Sequence, residues 1–237
     1  MRHLVRITLL IIIMTLTTAT ASADKYDRAW KKVEQLIKED LPESAAKEIN
    51  LIWDMAAKDD DGRQMLKSAV YLTQVQQTYG ENSLKGGIEL FSTLLPNLKV
   101  QEHKALCHAF LAKGYMRYLD LNRYNVRKRI PTDEENPPLE HWTQRMICDT
   151  ICYHLNQSIL LAGDVASGYY QDFFPGGNKA GQKLRPLLVD MMMDNAIVLV
   201  TDYRLTFEKK RFFDDARLYG TMGDYLEATR ELTPDDP

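Results

Sequence analysis

From Asp24 to about Tyr203 the apolar residues recur at intervals of three and four, and no useful length alternates with the two-residue period of a strand. Each such segment has one apolar stripe to bury, and the partner available is another helix, so the expected fold class is all-α. A first helix is expected over roughly 25–39, with Trp30, Val33, Leu36 and Ile37 on one face. "DLPES" breaks it, and Pro42 suits the first turn of the next helix. That helix runs to about Lys58 and turns Ala45, Ala46, Ile49, Ile52 and Trp53 inward. "DDDG" at 59–62 predicts a turn. A third helix carries Leu66, Ala69, Val70, Leu72 and Val75 and ends near Gly80; a fourth carries Ile88, Leu90, Phe91, Leu94 and Leu95. Gly86 and Gly87 are unfavourable near the start of that fourth helix.

The fifth helix, about 98–120, has a stripe of Ala105, Ala109, Ala112, Met116 and Leu119. So many alanines on one face imply close approach of another helix. "RKRIPTDEENPP" interrupts at 127–138, and a sixth helix over roughly 139–161 places Trp142, Met146, Ile147, Ile151 and Leu155 inward. A break at about 162–183 precedes a seventh helix over 185–203. The expectation is about seven helices in antiparallel pairs, with loops near 121–138 and 162–183. Residues 204–237 are expected to form a C-terminal extension or linker. Trp30, with Ala46 sixteen residues on, suggests a tetratricopeptide (TPR)-like helical array for the 24–203 domain.

Ahead of this run, "MRHLVR" is followed by "ITLLIIIMTLTTATASA", with small residues at Ala21 and Ala23. A basic start, a short apolar core and a small-residue end predict a signal peptide over 1–23, cleaved after Ala23 or Ala21. The core is too short to span a bilayer, so the expectation is export with no membrane span after cleavage. Losing Arg2 and Arg6 leaves 30 − 2 = 28 basic against 33 acidic residues, a net charge of −5. Nucleic acid is not an expected partner of so acidic a chain. Three cysteines do not make a disulfide scaffold. Cys107 is free to approach Cys148 or Cys152 if their helices pack; all three also read as small buried hydrophobes.

"GGNKAGQKLRP" at 176–186 has a glycine spacing that suggests a phosphate loop, Gly176 to Gly181. Gln182 follows where a lysine is needed, Lys183 precedes Leu184 rather than a hydroxyl, and no strand leads in. The stretch is expected to be a connector, with Pro186 in the first turn of the next helix. His103, Cys107 and His108 lie within two helical turns, as do Cys148, Cys152 and His154. His103 and Cys107 have feasible zinc spacing, but no CxxC or HExxH occurs and neither cluster supplies four ligands, so no metal site is expected. Asp190 and Asp194 lie one turn apart on the seventh helix. Such a pair can divide acid and base roles, but here it marks the solvated side of an apolar helix. Met191, Met192 and Met193 read as core filler, and "RKR" at 127–129 facing "DEE" at 133–135 as a charged loop. No Gly-x-Ser-x-Gly element or activated cysteine is evident. The residues imply no catalytic group, no cofactor and no enzyme.

Five stretches, in order, resemble the N-terminal helical region of large bacterial alpha-2-macroglobulin-like envelope proteins. They are "YDRAWKKVEQLIKEDLPESAAKEINLIWDMA" (26–56), "QMLKSAVYLTQVQ" (64–76), "HAFLAKGYMRYLDLNRYNV" (108–126), "HWTQRMICDTICYHLNQSI" (141–159) and "KLRPLLVDMMMDNAI" (183–197). The third ends in an Asn-Arg-aromatic turn, Asn122, Arg123 and Tyr124, and the fifth contains a Leu-Arg-Pro helix start. The resemblance implies a protein of the periplasm or cell envelope of a Gram-negative bacterium. Relatives of this kind continue into β-sandwich domains and inhibit attacking proteases, some through a thioester in a Cys-x-x-Gln or Cys-x-Glu-Gln sequence. Cys107, Cys148 and Cys152 are followed by "HAF", "DTI" and "YHL", so the thioester motif does not occur. The implied role is therefore a non-catalytic scaffold that meets following β-sandwich domains or other protein partners. The alternative is a stand-alone periplasmic TPR-like adaptor.

Overall fold

The structure, a computed structural model, describes residues 25–77, 83–132, 134–173 and 179–202. The expected signal peptide and C-terminal extension lie outside them. The described residues form helices and connecting turns, with no strand among them; an isolated antiparallel bridge joins Ala166 and Leu187. The fold is all-α. All seven expected helices are present: α1 (25–38), α2 (Pro42–Asp59), α3 (Gly62–Gln76), α4 (Ser83–Leu94), α5 (Gln101–Leu121), α7 (Gln144–Leu161) and α9 (Leu188–Asp202). Two short helices stand in the breaks, α6 (Arg123–Val126) and α8 (Lys179–Leu184), with 3₁₀ turns at Leu139–His141 and Ser167–Phe173. The helices fall into two compact units that divide between residues 81 and 82.

In the first unit, α1 and α2 end in the same way. Asp40 and Asp60 adopt left-handed conformations, φ 55° and 56°, and the next N–H reaches back five residues: Leu41 to the Leu36 carbonyl and Asp61 to Ala56, both 2.9 Å. This closure satisfies carbonyls that the helix end leaves open, and aspartate tolerates the left-handed region better than most residues. Asp61 then starts α3, its Oδ1 accepting from the N–H groups of Arg63 and Gln64 at 3.1 Å each. Tyr26 and Lys25 at the head of α1 meet Asp59 at the foot of α2, and Lys32 meets Glu48, so the two helices run antiparallel. Tyr26, Trp30, Val33, Ala45, Ala46, Ile49, Ile52, Ala56 and Val75 form the core. Lys67 is buried beside it with its ammonium 4.3 Å from the Trp30 ring, a cation–π contact that offsets its desolvation.

In the second unit α5 is central. Ala105, Ala109, Ala112, Met116 and Leu119 are all buried, and the small side chains let neighbours come close. α4 crosses antiparallel: Phe91 stacks on Phe110 at 5.4 Å, and a Cβ placed on Gly114 would lie 3.0 Å from Ile88 Cγ1. α7 lies antiparallel on another side, with His154 against His108 and Leu139 near Tyr118, and α9 packs on both α5 and α7. Trp142 precedes α7 instead of lying within it; Thr143 is the cap, its hydroxyl accepting from the Met146 N–H. Pro186 likewise stands two residues ahead of α9. Its carbonyl accepts from the Ser167 N–H at 2.8 Å, and the Ser167 hydroxyl donates to the Arg185 carbonyl at 2.6 Å. These bonds pin the two ends of the 162–188 connection together.

Candidate functional site

Helical register decides which polar side chains face inward. His108 lies between Ala105 and Ala112, with Tyr115 one turn further, so it falls on the buried stripe of α5. His154 falls on the α7 stripe with Ile147, Ile151 and Ser158. The two imidazoles meet with Nδ1 atoms 2.7 Å apart. One ring must carry hydrogen on Nδ1 and the other must present a lone pair there, so the two have opposite tautomers.

Aromatic rings close around them. Tyr115 stacks on His154 at 5.7 Å and on Trp142 at 5.6 Å, while the edge of Tyr153 meets both histidines. His108 and His154 are only 5% and 8% exposed. Burial pushes each pKa down to about 4, helped by the positive charge of Lys104 near His108 and by His108 itself near His154. Both rings are neutral at pH 7. One turn along α5, His103 packs edge-on against Tyr170 at 5.9 Å.

Cys107 faces α4 and donates its S–H to the Phe91 carbonyl at 3.4 Å. Cys148 and Cys152 share a face of α7, and all three are free thiols. Burial raises Cys107 and Cys152 to about 12 and Cys148 to about 11, with Asp149 adding to the last two. They are thiols at neutral pH, and a nucleophile or metal ligand needs the thiolate. Among the described residues no three His, Cys, Asp or Glu side chains converge in a way that could hold a metal ion. The two sequence clusters meet through His108 and His154.

Asp190 and Asp194 do not act on one another. Asp190 accepts from the Leu187 N–H at 2.9 Å and so caps its own helix, and Asp194 pairs with Arg185 at 2.8 Å. In the 176–186 stretch, Gly176 lies outside the described residues, and Gly181 sits inside α8, whose Leu184 is exposed. Met192 is buried while Met191 and Met193 are half-buried.

Sequence reasoning missed Arg129. Instead of facing the acidic run, its guanidinium turns inward and donates to the carbonyls of Trp142 (2.8 Å) and Leu139 (3.3 Å) and to the Tyr118 hydroxyl (3.2 Å). Glu134 of that acidic run meets His141. Three basic residues in a row give no signal as to which one folds in; that depends on where α7 begins. Trp142 shares this corner and donates its indole N–H to the Pro137 carbonyl at 2.8 Å.

No helix among the described residues is long and apolar enough to cross a membrane. No protein family, curated protein or solved structure matches the chain.

Proposed function

We propose that this chain is a non-catalytic, exported helical scaffold, the N-terminal part of a macroglobulin-like protein that protects the cell envelope by inhibiting proteases. The observation that carries the scaffold reading is the use made of the polar groups inside the second unit. His108 is bonded to His154, Asp190 caps α9, Asp194 neutralises Arg185 and Arg129 binds backbone carbonyls. Each holds helices or turns together, and the thiols nearby are protonated. The macroglobulin reading rests on the five ordered stretches of sequence, and the envelope location on those stretches and the signal-like start. Its partners are following β-sandwich domains or other envelope proteins.

A stand-alone periplasmic adaptor is the second reading. Its support is the burial of Trp30 and Ala46 in one core, the arrangement by which tetratricopeptide hairpins pack. Immunoblotting of the envelope fraction with antibody to residues 24–200 separates the two. A product far larger than the 27.3 kDa of this chain supports the macroglobulin reading. A product near that size overturns it in favour of the adaptor. A turnover lost on Asn122→Ala or Arg123→Ala overturns both.

A further inference from the structure

We propose that the corner between α5 and α6 is a contact for an anionic lipid surface. This goes beyond the scaffold reading and does not depend on it. Within ten residues the corner exposes three large apolar side chains: Leu121 (68%), Tyr124 (72%) and Ile130 (83%). Exposed cations accompany them at Arg117, Arg123, Arg127 and Lys128. The Lys128 ammonium lies 3.9 Å from the Tyr124 ring centroid and donates to its hydroxyl, so cation and aromatic ring form one feature.

The charge is local. Residues 117–130 hold five basic side chains, counting Arg129, against the single acid Asp120, a balance of 5 − 1 = +4 in a chain whose total is −3. Asp120 is paired with Arg123, and the acids that follow in sequence, Asp133, Glu134 and Glu135, come after Pro131. A potential of this sign attracts anionic headgroups at short range.

Shape chooses lipid over a peptide. A groove shades the residues that line it, and side chains more than two-thirds exposed do not line one. A protein partner would have to supply a fitted pocket for each of the three, but a bilayer interface is soft and receives them anywhere along its plane. Tyrosine prefers the headgroup level and the two aliphatic tips the acyl boundary below it.

The test is co-sedimentation of the full chain with vesicles of phosphatidylglycerol in phosphatidylcholine, against phosphatidylcholine alone. The apolar segment at residues 7–23 is common to every variant, so differences between variants report on the corner. Tyr124→Ser with Ile130→Ser, and separately Arg127→Glu with Lys128→Glu, are each expected to weaken binding to the anionic vesicles about tenfold or more. All four residues are exposed, so the variants retain wild-type circular dichroism. Tyr124→Trp supplies a local reporter, whose added emission shifts to the blue on anionic vesicles alone. Equal binding by wild type and both double variants, or no shift at Trp introduced there, overturns the proposal. Loss of a crosslinked protein partner in the variants, with vesicle binding unchanged, overturns it too and assigns the corner to a protein.

Discussion

A bond between the Nδ1 atoms of His108 and His154 survives only while one of those nitrogens keeps its lone pair, so acid attacks it directly. Both groups titrate near 4 in the fold against an ordinary value of 6.5. For a base, a lowered pKa means that the unfolded chain binds more protons between those two values. Stability therefore falls as pH drops from about 6.5 towards 4 and does not fall further from this source below 4. The shift is worth on the order of 3 kcal/mol for either ring, and the two do not add simply because they share a bond. His154→Leu alone strands His108 and is expected to destabilise the protein by about 1–3 kcal/mol at pH 7. Adding His108→Leu recovers most of that loss and flattens the dependence between pH 7 and 5, as urea midpoints at both values would reveal. Arg129 is a second test at this scale. Arg129→Lys is expected to cost about 1.5–3 kcal/mol, because one ammonium cannot serve three acceptors set in a fork. Rescue by lysine in the same urea titration would contradict the account. The alanine stripe on which His108 falls was legible as a buried face, but the histidine itself was not read as part of it. Its partner was not legible either, since 46 residues of chain separate them and only the packing of α5 on α7 brings them together.

Packing between elements puts a different kind of constraint on α5. A glycine in mid-helix normally gains about 1 kcal/mol when replaced by alanine. At Gly114 the new methyl would meet buried Ile88 at 3.0 Å, and α4 stands behind Ile88. Gly114→Ala is expected to destabilise by about 1 kcal/mol net, since overpacking costs about 1–3 kcal/mol. In an Ile88→Ala background the sign reverses and the same change stabilises, which a double-mutant cycle in urea would detect. A stabilising Gly114→Ala in the wild-type background would mean that α4 yields. The alanines were legible as a sign of close approach, whereas the part played by this glycine and the identity of the approaching helix were not. Gly86 and Gly87 show the converse: they looked unfavourable, yet α4 begins at Ser83 and runs through both. The buried stripe of Ile88, Phe91 and Leu94 outweighs their propensity. Pro186 was legible as a helix-start residue and still misplaced by two positions. The Ser167 bonds hold its neighbourhood extended, a tertiary constraint with no local sequence signal.

At the scale of the whole chain, the two units carry different titrating groups, and this sets the order in which acid acts on them. Residues 25–77 contain no histidine, while His108 and His154 both lie in the second unit. One acid-sensitive group of the first unit is Asp59, held below its usual 3.8 by the hydrogen bond from Lys25 and then by that from Tyr26. A carboxylate lowered in this way stabilises above its ordinary pKa, and the contribution disappears as pH falls through the folded value. The Asp59 contacts of the first unit are thus kept down to about pH 4, whereas the histidine pair weakens the second unit from about pH 6.5 downward. Hydrogen exchange read by mass spectrometry at pH 7 and pH 5, corrected for intrinsic rates, tests this. Amides of α5 around His108 and of α7 around His154 are expected to lose protection at pH 5. Those of α2 around Ile49–Ala56 and of α3 around Leu66–Thr73 are expected to keep it. Equal loss in both units would mean that the chain opens as one cooperative body, and the histidine seam would then be a trigger for the whole and not a weakness of one part. Loss confined to the second unit would leave the core of Trp30, Ile49 and Ile52 intact while α5 and α7 separate.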